Sequence, residues 1–163
     1  MERFEHRPDA FYPFAFDAEV EHHHVGTYRY TVVFLDHRAH DLLPLDESPR
    51  LRFSGELQDA PFDAAWQPVR GRWYVMLSKQ LLKEAELSVG DTARVRFRVV
   101  DQDLVQVPVE LQRALEIHDG LLARWESLSP GKRRGFAHRI SSAKRAETRA
   151  RRLEQVVEEL MHE

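Results

Sequence analysis

Apolar and polar positions alternate along the middle of the chain and change to a helical spacing near its end. In Leu51–Leu57 the odd positions are apolar or small and the even ones polar, the period-2 pattern of a strand with one buried face. Ala93–Val99 alternates the same way. Tyr28–Leu35 is rich in β-branched and aromatic residues, and the short runs Phe62–Trp66 and Trp73–Leu77 are set off by Asp59-Ala60-Pro61 and Arg70-Gly71. These predict strands whose inward set is Phe53, Leu57, Phe62, Val75, Leu77, Val95, Phe97 and Val99. One helix interrupts them: Ser78 caps it, Leu81, Leu82 and Ala85 form its apolar side, and Gly90-Asp91 closes the following turn.

Beyond Pro108 the spacing becomes three and four. Val109–Leu115 predicts a first helix, Asp119 opens a short one through Leu121, Leu122 and Trp125, and Ser129-Pro130 pairs an N-cap with proline at the first helical position. A final helix is expected from about Ala146 to Met161, with Ala146, Ala150, Leu153 and Val157 inward. The tail is short for a core of its own. Trp125, Phe136, Ile140, Leu153 and Val157 are therefore expected to pack on each other and on the β region.

Three sections follow. Residues 1–17 form an aromatic arm (Phe4, Phe11, Tyr12, Phe14, Phe16), in which Pro8 and Pro13 disfavour regular structure. Residues 18–107 read as a small β-barrel or sandwich and residues 108–163 as a helical region. The chain has 163 residues, no cysteine and no apolar run long enough to span a membrane. Its start lacks the charged and apolar regions of a secretory signal, so a cytoplasmic protein is expected.

Charge is uneven. The chain carries a formal −3, yet between Pro130 and Arg152 nine Lys/Arg face the single acid Glu147. Folding alone gives little reason for that density, and a basic island in an acidic chain points to an anionic partner. The candidate anion site is Ser142, Lys144, Arg145, Thr148, Arg149 and Arg152, beside the N–H groups that open the last helix. The competing account is a solvated face whose arginines pair with acids of the same chain. Arg94, Arg96 and Arg98 form a second basic stripe. It suits either a nucleic-acid backbone or the protection of an edge strand.

Catalytic chemistry is not signalled. No serine stands in a G-x-S-x-G elbow, and there is no P-loop or dinucleotide fingerprint, so neither catalysis nor a cofactor is expected. His22, His24, His37 and His40 lack the carboxylate spacing of a metal site and read as a polar surface cluster, with no metal expected. Trp66, Trp73 and Trp125 fill core or seam positions, or floor a pocket.

Two segments carry a resemblance. Leu77–Val95 has the strand, short helix, Gly-Asp and strand order of AbrB/MazE-type barrels. With Ser129-Pro130 and Ser142-Ala143-Lys144-Arg145-Ala146-Glu147-Thr148-Arg149, the chain resembles the YdeI/OmpD-associated, or bacteriocin-protection, family over roughly residues 16–161. The resemblance implies a small double-split β-barrel with a C-terminal helical extension packed on it. It brings no established activity, substrate or catalytic residue. The family pattern has proline where Ala146 stands and an aromatic where Arg139 stands. The function expected is non-catalytic binding of an anionic partner in bacterial stress or antimicrobial-peptide tolerance. Its rivals are a nucleic-acid-binding regulator, which the acidic balance disfavours, and a small-ligand enzyme with a barrel–helix cleft.

Overall fold

A computed structural model describes residues 3–162. It divides into two compact units, residues 1–102 and 103–163. The first is built on strands. β1 (Phe4–His6), β2 (Phe14–Glu19), β9 (Thr92–Val99), β5 (Arg52–Leu57) and β6 (Ala60–Ala65) form one antiparallel sheet in that spatial order. β3 (Glu21–Val25), β4 (Tyr28–Phe34), β8 (Arg72–Met76) and β7 (Gln67–Val69) form the other. Among the described residues these are the strands of a mixed β and α fold. A short 3₁₀ helix (His37–Leu42) and α1 (Lys79–Ala85) lie in the connections.

The chain changes sheet at Val20 and at Trp66, both fully buried, so one core joins the inner faces. Phe53, Leu57, Val75, Leu77, Val95 and Phe97 meet there as their alternation requires, with Phe62 and Val99 packed at its margin. Phe53 stacks on Trp66 at 4.7 Å between ring centroids, and Phe14 on Phe97 at 5.0 Å. Gly55 sits opposite Phe97 in the pairing of β5 with β9. A Cβ there would run into the Arg96 carbonyl oxygen and lie 2.9 Å from the Phe97 Cβ, so the close approach of the two strands requires glycine at that point of the stripe.

The aromatic N-terminal segment is not an arm laid along the body. Pro8 and Pro13 confine irregular backbone to the turn between β1 and β2, and both flanks pair into the larger sheet: Phe4 opposes Phe16, which opposes Val95. Pro61 likewise lies inside β6 rather than in a turn. β6 is an edge strand, where proline's missing N–H is tolerated. The turn falls one step earlier, at Gln58, which takes a left-handed conformation (φ 54°).

Asp36 caps the 3₁₀ helix. It accepts from the Arg38 backbone N–H at 2.9 Å and from the Arg38 guanidinium at 2.9 and 2.6 Å. The Arg38 side-chain hydrogen bonds hold the carboxyl below the usual aspartate value against the opposing effect of burial. Because the folded form depresses this pKa, its contribution is present above the ordinary aspartate value and is lost as pH falls through the folded one. Asp36→Ala should lower stability by about 1–2 kcal/mol at neutral pH. In denaturant titrations at a series of pH values, the gap from the parent should close below about pH 4.

The second unit contains α2 (Val109–Ile117), α3 (Leu121–Ser127), α4 (Pro130–Ser141) and α5 (Ala146–Met161). Ser129 caps α4, accepting from the Lys132 N–H at 3.3 Å, and Pro130 takes the first turn. These helices have their own core. Leu111, Leu115, Leu121, Trp125, Leu128, Ile140, Val156 and Leu160 are buried together, with Phe136, Leu153 and Val157 packed against them. The expectation that so short a tail makes no core alone is corrected: short amphipathic helices, each giving two or so residues, suffice to enclose one.

Candidate functional site

The basic segment lies where α4 ends and α5 begins, and the structure divides it. Arg149 is turned inward. Its Nε donates to Glu110 Oε2 at 2.8 Å and its Nη2 to Glu110 Oε1 at 3.0 Å, a two-pronged pair with the first turn of α2. Its Nη1 donates to the carbonyls of Ser141 and Ala143 at 3.2 and 3.3 Å. Arg152 Nη1 reaches the Arg139 carbonyl at 2.9 Å and the Ser142 hydroxyl at 3.1 Å. The last carbonyls of a helix have no partner within it, and basic side chains are apt donors to them. Arg149 and Arg152 serve the end of α4 in this way. Arg133 donates to the Leu128 carbonyl at the end of α3, and Arg124 to the Leu160 carbonyl in the last turn of α5. Folding thus does give a reason for the arginine density: four helices crowded into some sixty residues have many ends to satisfy.

The expected helix phase needs the matching correction. Ala146 and Ala150 are exposed, while Val156 and Leu160 are buried and Arg149 and Arg152 half-buried. The inward stripe therefore runs 149, 153, 156, 160, and the two alanines stand to one side of it. Ser142, Arg149 and Arg152 come together, but as internal partners. Lys144 and Arg145 stay exposed, and neither has an ion-pair partner among the described residues. Thr148 is half-buried beside them. Arg145 is the N-cap of α5 and supplies no side-chain cap, so two cations flank the N–H groups that open the helix at the positive end of its dipole.

The β9 stripe is also largely paired. Arg94 faces Asp17 at 3.3 Å and Glu5 at 3.6 Å. Arg96 pairs with Glu56 and meets Asp59 at 3.3 Å, and the Arg98 guanidinium lies 5.0 Å from the centre of the Phe11 ring. Since β9 is flanked by β2 and β5, edge protection is not the role of these arginines. Arg94 and Arg96 border an open concavity of about 560 Å³ with Arg7, Tyr12, Gln58, Glu5 and Asp59. Its acids offset its cations. The acidic partners on β2 and β5 went unread in the sequence, because only the strand order sets them beside β9.

The histidines do not converge. His22 and His24 are exposed on β3, opposite Thr31 and Arg29, and His37 is exposed beside Asp36. His40 packs edge-on to Trp73 at 5.0 Å, where burial lowers its pKa and favours the neutral ring. Among the described residues no three His or carboxylate groups are placed to hold a metal ion. Trp66 and Trp125 are core residues, one in each unit, and Trp73 donates to the Pro49 carbonyl at 2.9 Å.

Residues 105–162 match the family model described as Bacteriocin-protection, YdeI or OmpD-Associated. This is the family that the sequence motifs resemble. The match spans α2 to α5, including the Glu110–Arg149 pair and both exposed cations, Lys144 and Arg145. No curated protein matches the chain. Among the described residues no helix is long and apolar enough to cross a membrane.

Proposed function

We propose that this chain is a non-catalytic binding protein that engages an anionic partner at the start of α5, through Lys144 and Arg145. One observation carries the reading: these two cations remain exposed and unpaired beside an uncapped helix start, whereas the neighbouring Arg149 and Arg152 are consumed inside the fold. The family description supports a role in tolerance of bacteriocins or related stress. A nucleic-acid regulator is less well supported, since Arg94 and Arg96 face carboxylates rather than an open groove for a phosphate backbone.

A paired variant tests this. Lys144→Ala/Arg145→Ala should leave the fold intact, both side chains being exposed. It should weaken binding of a heparin fragment, measured by titration calorimetry at low salt, by about fivefold or more, at about 0.5–1 kcal/mol for each exposed charge. Parent binding should itself weaken as salt is raised. Equal affinity of parent and variant would sink the assignment. Preferential binding of a DNA duplex over heparin would favour the regulator.

A further inference from the structure

α5 bears a second surface of opposite character. Ala114 and His118 on α2, with Leu153, Val157 and Met161 on α5, line a groove of about 300 Å³, and Glu154 and Glu158 form its rim. The Glu110–Arg149 pair ties the same two helices together. From that pair, Ala114 and Leu153 lie one turn on, and His118 and Val157 two turns on, so the two helices run side by side in the same direction. α2 ends at Ile117, about one turn short of Met161. The floor is therefore apolar and open at its far end. Met161 is half-exposed and Ile117, next to His118, is 74% exposed. Ala146 and Ala150, exposed and at helical spacing with Val157, extend this apolar line towards the start of α5.

The rim charges are the telling feature. Glu154 and Glu158 are exposed, one turn apart, and no ion-pair partner for either is found among the described residues. Like charges at that spacing repel, and a carboxylate in the last turn opposes the helix dipole; α5 has no basic residue in that turn to offset it. Local energetics thus disfavour the pair, through mutual repulsion of both acids and, for Glu158, through the helix dipole. A cation arriving from outside would offset both effects.

We propose that this groove docks a cationic amphipathic helix of a partner. About two turns of it would lie along α2 and α5, with apolar side chains at i and i+4 over Val157 and Met161 and basic ones facing Glu154 and Glu158. This surface is separate from the anion-binding reading of Lys144 and Arg145 and does not rest on it.

The test uses the full chain and a synthetic fifteen-residue helical peptide of leucine and lysine, with leucines on one face, followed by fluorescence anisotropy. Saturable binding that weakens with salt is expected, and ¹⁵N–¹H shifts should move at Ala114, His118, Leu153 and Val157. Glu154→Lys/Glu158→Lys should reduce affinity about tenfold or more. Glu47→Lys/Glu84→Lys, an equal charge change on exposed residues of the β unit, should alter it less than about twofold. The proposal is overturned if no saturable binding occurs, if a leucine–glutamate peptide binds as well, or if both charge-reversed variants lose affinity equally. Sedimentation showing that the chain dimerises, with the dimer lost in Met161→Gln, would also overturn it by making a second copy the occupant.

Discussion

Phe97→Ala is expected to destabilise the β unit by about 3–5 kcal/mol. The side chain is fully buried on the central strand of the five-stranded sheet, and its ring meets four others: Phe14 at 5.0 Å, Phe53 at 5.3 Å, Trp66 at 5.4 Å and Phe16 at 6.3 Å between centroids. Truncation loses the transfer free energy of the ring and leaves a void that stacked neighbours on paired strands collapse into poorly. The Trp66 indole N–H is already buried without a partner, so water drawn into the void would relieve part of the penalty there. Phe97→Leu, which keeps most of the volume, should lose about 1–2 kcal/mol. Denaturant unfolding followed by tryptophan fluorescence measures both. A loss below about 1 kcal/mol for the alanine variant would mean that the ring is not the keystone its contacts make it.

The same residue shows how much of the fold was legible. Phe97 is placed by strict alternation, and alternation needs no tertiary knowledge: once Arg94, Arg96 and Arg98 face out, Val95, Phe97 and Val99 face in. Ser78, Ser129 and Pro130 fix helix starts equally locally, through side chains that satisfy or lack specific N–H groups. What escaped depends on partners far along the chain. β2 pairs with β9 about eighty residues away and carries β1 on its other edge, and the prolines between β1 and β2 read as an arm because a turn and an irregular segment look alike in sequence. The phase of α5 is hidden in the sequence for a related reason. Counting apolar residues puts the alanines inside, whereas a methyl group gives little on burial and Arg149 gives more, once Glu110 stands within reach. Nothing near Arg149 announces Glu110, which lies 39 residues earlier.

Arg149→Ala should for that reason act on stability rather than on ligand affinity, lowering the stability of the helical unit by about 2–3 kcal/mol. Two charge-assisted bonds to Glu110 disappear, and the carbonyls of Ser141 and Ala143 lose their donor at the end of α4, where Ala143 itself is buried. Both members of the ion pair are partly open to solvent, at 29% and 39% exposure, which holds the effect below the range of a fully buried pair. Arg149→Lys keeps the charge but not the fork, so it should recover less than half of the loss. Helix ellipticity during denaturation gives the reading, and a double-mutant cycle with Glu110→Gln should return a coupling of about 1 kcal/mol or more. A change below about 0.5 kcal/mol, with coupling near zero, would return Arg149 to the set of free cations. The anion site would then widen from Lys144 and Arg145 to include it, as the charge pattern of the sequence first suggested.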